Sequence, residues 1–205
     1  MSGAGVWLSY AAARAATALP LLHYHRYRLL AIAVENMPAM PRGYSVEEES
    51  GQSLTSYIDA DRDVIRRRFA AGLTPLAARK GGEIVGVTWL TRNAFQEDEV
   101  PVRWKAPPGY AWDTGLWIAP DRRLSRAFQA LWAGTADWLR ARGLSGSASR
   151  VADYSEASLR PHYRMGAEDL GSVTIAGIGS LAVATRGSRR LTAGGYTTIR
   201  LGELR

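Results

Sequence analysis

Between residues 44 and 185 the chain switches repeatedly between the period of a strand and the period of a helix, and the order of those switches leaves few folds open. Tyr44 to Glu49 alternates as a strand does. Leu54 to Ala71 repeats apolar residues at helical spacing (Leu54, Tyr57, Ile58, Val64, Ile65, Phe69), and Gly72 stops it. Thr74 to Arg79 and Ile84 to Thr91 read as strands joined by the turn Lys80-Gly81-Gly82-Glu83, hence a hairpin. Ala111 to Ile118 is the next strand. Pro120-Asp121-Arg122-Arg123 leads into a helix from Leu124 to Arg142, closed by Gly143, with Arg140 and Arg142 at the negative end of its dipole. Gly146 to Ala152 is a strand. Ser155 and Glu156 suit the start of a helix that runs to Met165 and stops at Gly166. Gly171 to Ala176 and Leu181 to Thr185 close the series as a strand pair. Strand, helix, three strands, helix, strand, helix, strand pair predicts an α/β sheet packed between helices.

Three segments flank or interrupt this series. Residues 1–42 read as an N-terminal helical extension that ends in the proline-rich break Met37-Pro38-Ala39-Met40-Pro41. Within it, Val6 to Leu22 is too short and too interrupted to span a bilayer and lacks the basic leader of a secretory signal, so the expected setting is the cytoplasm. The aromatic and basic run His23-Tyr24-His25-Arg26-Tyr27-Arg28 could rest on a membrane surface or pack on the domain or a second subunit. Residues 43–186 form the expected catalytic domain, and 187–205 a tail with a short strand at Tyr196 to Leu201. Arg92 to Gly109 reads as polar and irregular.

Composition narrows the chemistry. The 205 residues contain no cysteine, which excludes disulfides, cysteine zinc sites and a thiol nucleophile. A net charge of +7 either reflects heavy use of arginine or favours anionic partners, a phosphorylated cofactor among them. No nucleic-acid-binding motif is visible.

Three stretches carry a resemblance in sequence. Ala78 to Leu90 is a hairpin with Gly86 between apolar residues. Leu116, Ile118 and Pro120 match a strand pattern "L-x-V-x-P", followed by Arg123, Arg126, Phe128, Leu131 and Trp132. Ser155 to Gly171 matches "N-x-x-S-x-x-x-[YH]-x-[KR]-[LM]-G-[FA]" at Ser158, His162, Arg164, Met165 and Gly166, with Ser155 in place of Asn. Together these resemble the GNAT (GCN5-related N-acetyltransferase) superfamily over residues 44–185, in the variant with "R-x-G-R-x-F-x-x-L-W" found among GNAT-like proteins of bacterial exopolysaccharide loci. The resemblance implies a mixed, mostly antiparallel sheet flanked by helices, and acyl transfer from a thioester to an amine with no metal. The co-substrate is acetyl-CoA or a longer acyl-CoA, with an acyl carrier protein as the alternative donor. The acceptor is a small-molecule or peptide amine, and the protein works as a monomer or homodimer. A non-catalytic binding module of the same scaffold is the rival reading, because Arg126 and Phe128 stand where the phosphate loop normally has small residues.

The resemblance also distributes roles. Trp117 and Ile118 would offer main-chain groups to the pantetheine arm. Arg122, Arg123, Leu124, Ser125 and Arg126 would hold phosphates at a helix N-terminus, where first-turn amides lack partners. Ser155 and Ser158 would position the arm, although a simple cap is the stronger expectation for Ser155. His162 stands where many members carry the residue that protonates the thiolate; its neighbour Tyr163 faces about 100° away, so at most one of the two acts. Among Glu97, Asp98, Glu99 and Asp113, the base is Asp113 or Glu97. Trp89, Trp104, Trp112 and Trp117 pack the core or line an acceptor channel.

Overall fold

The longest strand comes from the segment expected to be a helical extension. Leu22–Ala33 is β1, and its run Leu29 to Ile32 is buried on both faces. A continuous apolar run fits a strand covered on both sides as well as it fits a helix, and here the strand wins. The structure, a computed structural model, describes residues 7, 9–12, 14, 21–54, 62–123 and 125–203. Of the expected helix from Val6 to Leu22, Trp7, residues 9–12 and Arg14 are helical, and most of the rest lies outside the described residues. No described helix is long and apolar enough to cross a membrane.

The chain divides into two compact units, one of residues 1–31, 94–107 and 149–205, the other of residues 32–93 and 108–148. In the second unit, β2 (Tyr44–Glu48), β3 (Thr74–Lys80), β4 (Glu83–Thr91) and β7 (Tyr110–Ile118) form an antiparallel succession. The start of β8 (Gly146–Ala152) pairs with β7 in parallel at Tyr110↔Gly146, Ala111↔Ser147 and Trp112↔Ala148. The helix expected from Leu54 to Ala71 is described at its ends, as α1 (Gly51–Leu54) and α2 (Arg62–Ala70), while residues 55–61 lie outside the described residues. Phe69 of α2 meets Trp89 edge-on at 5.1 Å. The long helix α3 (Ala127–Arg140) buries Ala127, Ala130 and Leu131 against Ala78 and Val85. Gly86 meets Leu131 of α3 while Trp89 meets α2, so alternation along β4 puts the two helices on opposite faces. Gly134 lets α3 approach β2: a Cβ there would collide with Val46.

In the first unit the strand order is β11-β10-β9-β1-β8, with β9 at Glu168–Ile178, β10 at Leu181–Ala184 and β11 at Leu191–Ala193. β1 therefore lies between β9 and β8 as an integral strand, which corrects its assignment to an appended helical segment. The stretch read as irregular contains β5 (Phe95–Gln96) and β6 (Val102–Lys105), which join β12 (Thr197–Arg200) in a small second sheet. Short strands interrupted by Pro101 leave too few residues for a visible period. The remaining helix, α4, spans Glu156–Arg164.

Candidate functional site

The head of α3 is built by the chain leaving β7. The Ala119 N–H donates to Val85 O at 3.0 Å, and Pro120–Arg122 then forms a single 3-10 turn with proline at its start. Arg126 stands at the N-cap with no side-chain cap of its own, and the Ala127 N–H donates to Ser125 Oγ at 3.2 Å. Arg126 is exposed, and Phe128 packs one turn along the helix on Trp132, 6.2 Å between rings.

A residue that sequence reasoning does not reach lies beside the head of α3. Tyr44, at the start of β2, is half-buried against the Ala127–Leu131 cluster. Ser125, then Lys80 and the Arg126 main chain, hold its phenol below the usual range against the opposing effect of burial. The Lys80 ammonium lies 5.2 Å from the Tyr44 ring centre.

Around this point the arginines differ. Arg122 is paired with Asp121 at 2.9 Å and lies 3.9 Å from Glu83, so part of its charge is already spent. Arg123 and Arg126 are exposed, and among the described residues neither forms an ion pair. Leu124 lies outside the described residues.

β7 supplies the second feature. Its registered pairing with β8 ends at Trp112, while its pairing with β4 continues to Ile118. Trp117 and Ile118 are half-buried on that stretch. Between Val87↔Trp117 and Trp89↔Thr114, β7 has one residue more than β4, a bulge. Gly115 within it has φ +60°, and a side chain there would collide with the Arg68 guanidinium. Asp113 is buried and accepts a hydrogen bond from Ser147 Oγ. Trp89 and Trp112 are fully buried. Trp104, in the first unit, is buried as well, so these three pack the core and line no channel.

The first unit holds the other candidates. His162 on α4 is buried, and its Nδ1–H donates to the Ser158 carbonyl at 2.6 Å. That bond places the lone pair on Nε2. Burial lowers the imidazole below its ordinary range, only partly offset by the Ser158 carbonyl, so it is neutral at pH 7. Tyr163 is 41% exposed and donates to Asp169 at 3.1 Å; Asp169 also pairs with Arg28 at 3.0 Å. Burial, then Asp169, raises the Tyr163 phenol. Tyr163 is thus committed to a surface pair. Ser155 Oγ donates to Ser158 Oγ at 3.0 Å and makes no cap bond, contrary to the capping expectation.

Glu97 is not presented as a base. Burial alone would push its carboxyl up; Arg150, the Trp104 N–H (2.9 Å) and the Asp98 N–H (3.1 Å) outweigh that and hold it below the usual range. Arg150 in turn lies over the Tyr27 ring at 4.3 Å, and Tyr27 meets Trp104 edge-on at 6.1 Å. A carboxylate with all these partners is a structural counter-ion.

No family model matches the chain, and no curated protein matches it. Solved structures do. A conserved protein of unknown function from Staphylococcus epidermidis superposes with TM-score 0.54 at 11% identity, over 77% of this chain and 63% of that one. A Drosophila protein gives 0.52 at 10%, over 85% and 57%. A candidate acetyltransferase of the GNAT family from Novosphingobium aromaticivorans gives 0.50 at 12%, over 78% and 68%. This chain spans less than two thirds of the length of the first two. At such identities the likeness shows the fold, which is the GNAT fold.

Proposed function

We propose that this chain uses its GNAT fold as an N-acyltransferase, moving an acyl group from a CoA thioester to an amine by direct attack. The observation that carries the reading is the head of α3. There Arg123 and Arg126 are exposed beside the first turn of α3, without an ion pair among the described residues, and Ser125 and Lys80 favour the anionic form of the Tyr44 phenol. A pyrophosphate there would gain charge-assisted bonds to both arginines. The edge of β7 beyond Trp112 then offers main-chain groups at Trp117 and Ile118 to the amides of the pantetheine arm. The bulge around Gly115 frees one residue's main-chain groups from the ladder, a suitable donor for the carbonyl oxygen of the thioester.

The amine nitrogen attacks the thioester carbonyl carbon, the C–S bond breaks, and the thiolate leaves with a proton. Holding donor and acceptor together supplies much of the rate. We assign the proton transfers to His162, on the α4 sequence match and on its surroundings. As a buried, neutral imidazole it has the chemistry to take the ammonium proton and return it to sulfur. Tyr163 is tied to Asp169 and Glu97 to Arg150, so neither takes this role; Asp113, buried on Ser147, remains a second base candidate. An acyl carrier protein presenting the same arm would use the same contacts. The acceptor is a small-molecule or peptide amine.

The test is release of free thiol from acyl-CoA in the presence of an amine panel, followed in wild type and His162→Ala. The expected result is amine-dependent release, reduced roughly a hundredfold or more in the variant. Donor binding without release in any case would leave a binding module.

A further inference from the structure

Among the described residues, the outer strands of the first unit present an exposed apolar face. In the β1–β9 and β9–β10 ladders, Leu22 stands opposite Ile178, and Ile178 opposite Leu181. In the β10–β11 ladder, Val183 stands opposite Leu191. Residues opposite one another, or two apart, share a face. Ile178 is 61% exposed, Leu181 48%, Val183 51% and Leu191 60%. The alternate residues Ile175, Ala182, Ala184 and Thr192 are buried, so the two faces of this end differ sharply. Contiguous exposed apolar side chains of this size mark a contact surface.

The charge around the face says what covers it. Arg189 and Arg190, in the connection from β10 to β11, are exposed, and Arg186 beside them is half-exposed. No acidic residue occurs between Asp169 and Glu203, nor before Glu35, so the exposed apolar residues of this face all come from acid-free stretches. The chain's excess of positive charge is therefore not evenly spread. We infer that this face docks on an anionic lipid bilayer, the apolar side chains entering the headgroup region and the arginines meeting lipid phosphates and carboxylates. A second copy of the chain fits less well, because closing two such faces on each other gathers like charges at their borders. The inference is independent of the acyl-transfer reading.

The full chain is centrifuged with vesicles of phosphatidylcholine alone and of phosphatidylcholine with phosphatidylserine. It should sediment with the second and hardly with the first, and added salt should release it. Arg189→Gln/Arg190→Gln, outside the strands, should weaken binding to the serine-lipid vesicles roughly thirtyfold. Leu181→Asn/Leu191→Asn should abolish sedimentation with either, its fold checked by circular dichroism. Equal binding to both vesicle types, or none to either, would overturn the inference. So would a dimer in sedimentation velocity that the leucine variant dissociates, since the face would then belong to a second copy.

Discussion

His162 shows how a single residue's surroundings set both its chemistry and its cost. Burial depresses its folded pKa, whereas an unfolded imidazole titrates near about 6.5. As pH falls through that value the unfolded chain takes up a proton that the folded one refuses, so stability declines, and the decline levels off below the folded pKa. His25 is depressed by burial in the same way. His162→Gln should therefore flatten, without abolishing, the fall of Tm on acidification below about pH 6.5; melting curves with an unchanged slope would show that His162 is not buried as neutral imidazole. Glu97 makes the opposite case, a carboxylate kept charged by its partners. Arg150→Met would leave it buried without its counter-ion, at a cost of about 3–5 kcal/mol. Adding Glu97→Gln should recover part of that loss in urea melts, and full additivity of the two substitutions would contradict the pairing.

At the scale of elements, packing rather than propensity decides the critical contacts. Gly134→Ala would favour an isolated helix by about 1 kcal/mol, yet in α3 the added methyl strikes Val46 of β2. The substitution should lower stability, by about 1–3 kcal/mol for an overpacked core, and Val46→Ala should restore it; a stabilised single variant would show that α3 and β2 are not in close contact. The elements that sequence made legible are those with local punctuation: the β3–β4 hairpin around Gly81-Gly82, α3 between Pro120 and Gly143, α4 between Ser155 and Gly166. β1 was not legible, because its half-buried start and fully buried end present neither clean alternation nor a helical stripe. Arg123 and Arg126 could be placed from the turn that precedes them. Tyr44 could not, since its seat at Ser125 exists only once β2 lies beside α3. The tryptophans marked the strands correctly, but residue type alone does not separate a core ring from a channel lining.

For the whole molecule, the GNAT fold supplies a scaffold and the head of α3 supplies the reason to read it as an enzyme. One interaction underlies that reading: phosphates of a thioester carrier held at the first turn of α3 by Arg123 and Arg126. The loop departs from the usual small residues; Arg126 is exposed and Phe128 packs on Trp132. Binding should therefore depend on both arginines and weaken with salt. Calorimetric titration of CoA into wild type and Arg123→Ala/Arg126→Ala tests this directly. The account predicts saturable binding, about tenfold weaker or worse in the variant. Identical affinity in the two proteins, or no binding by wild type, would contradict it.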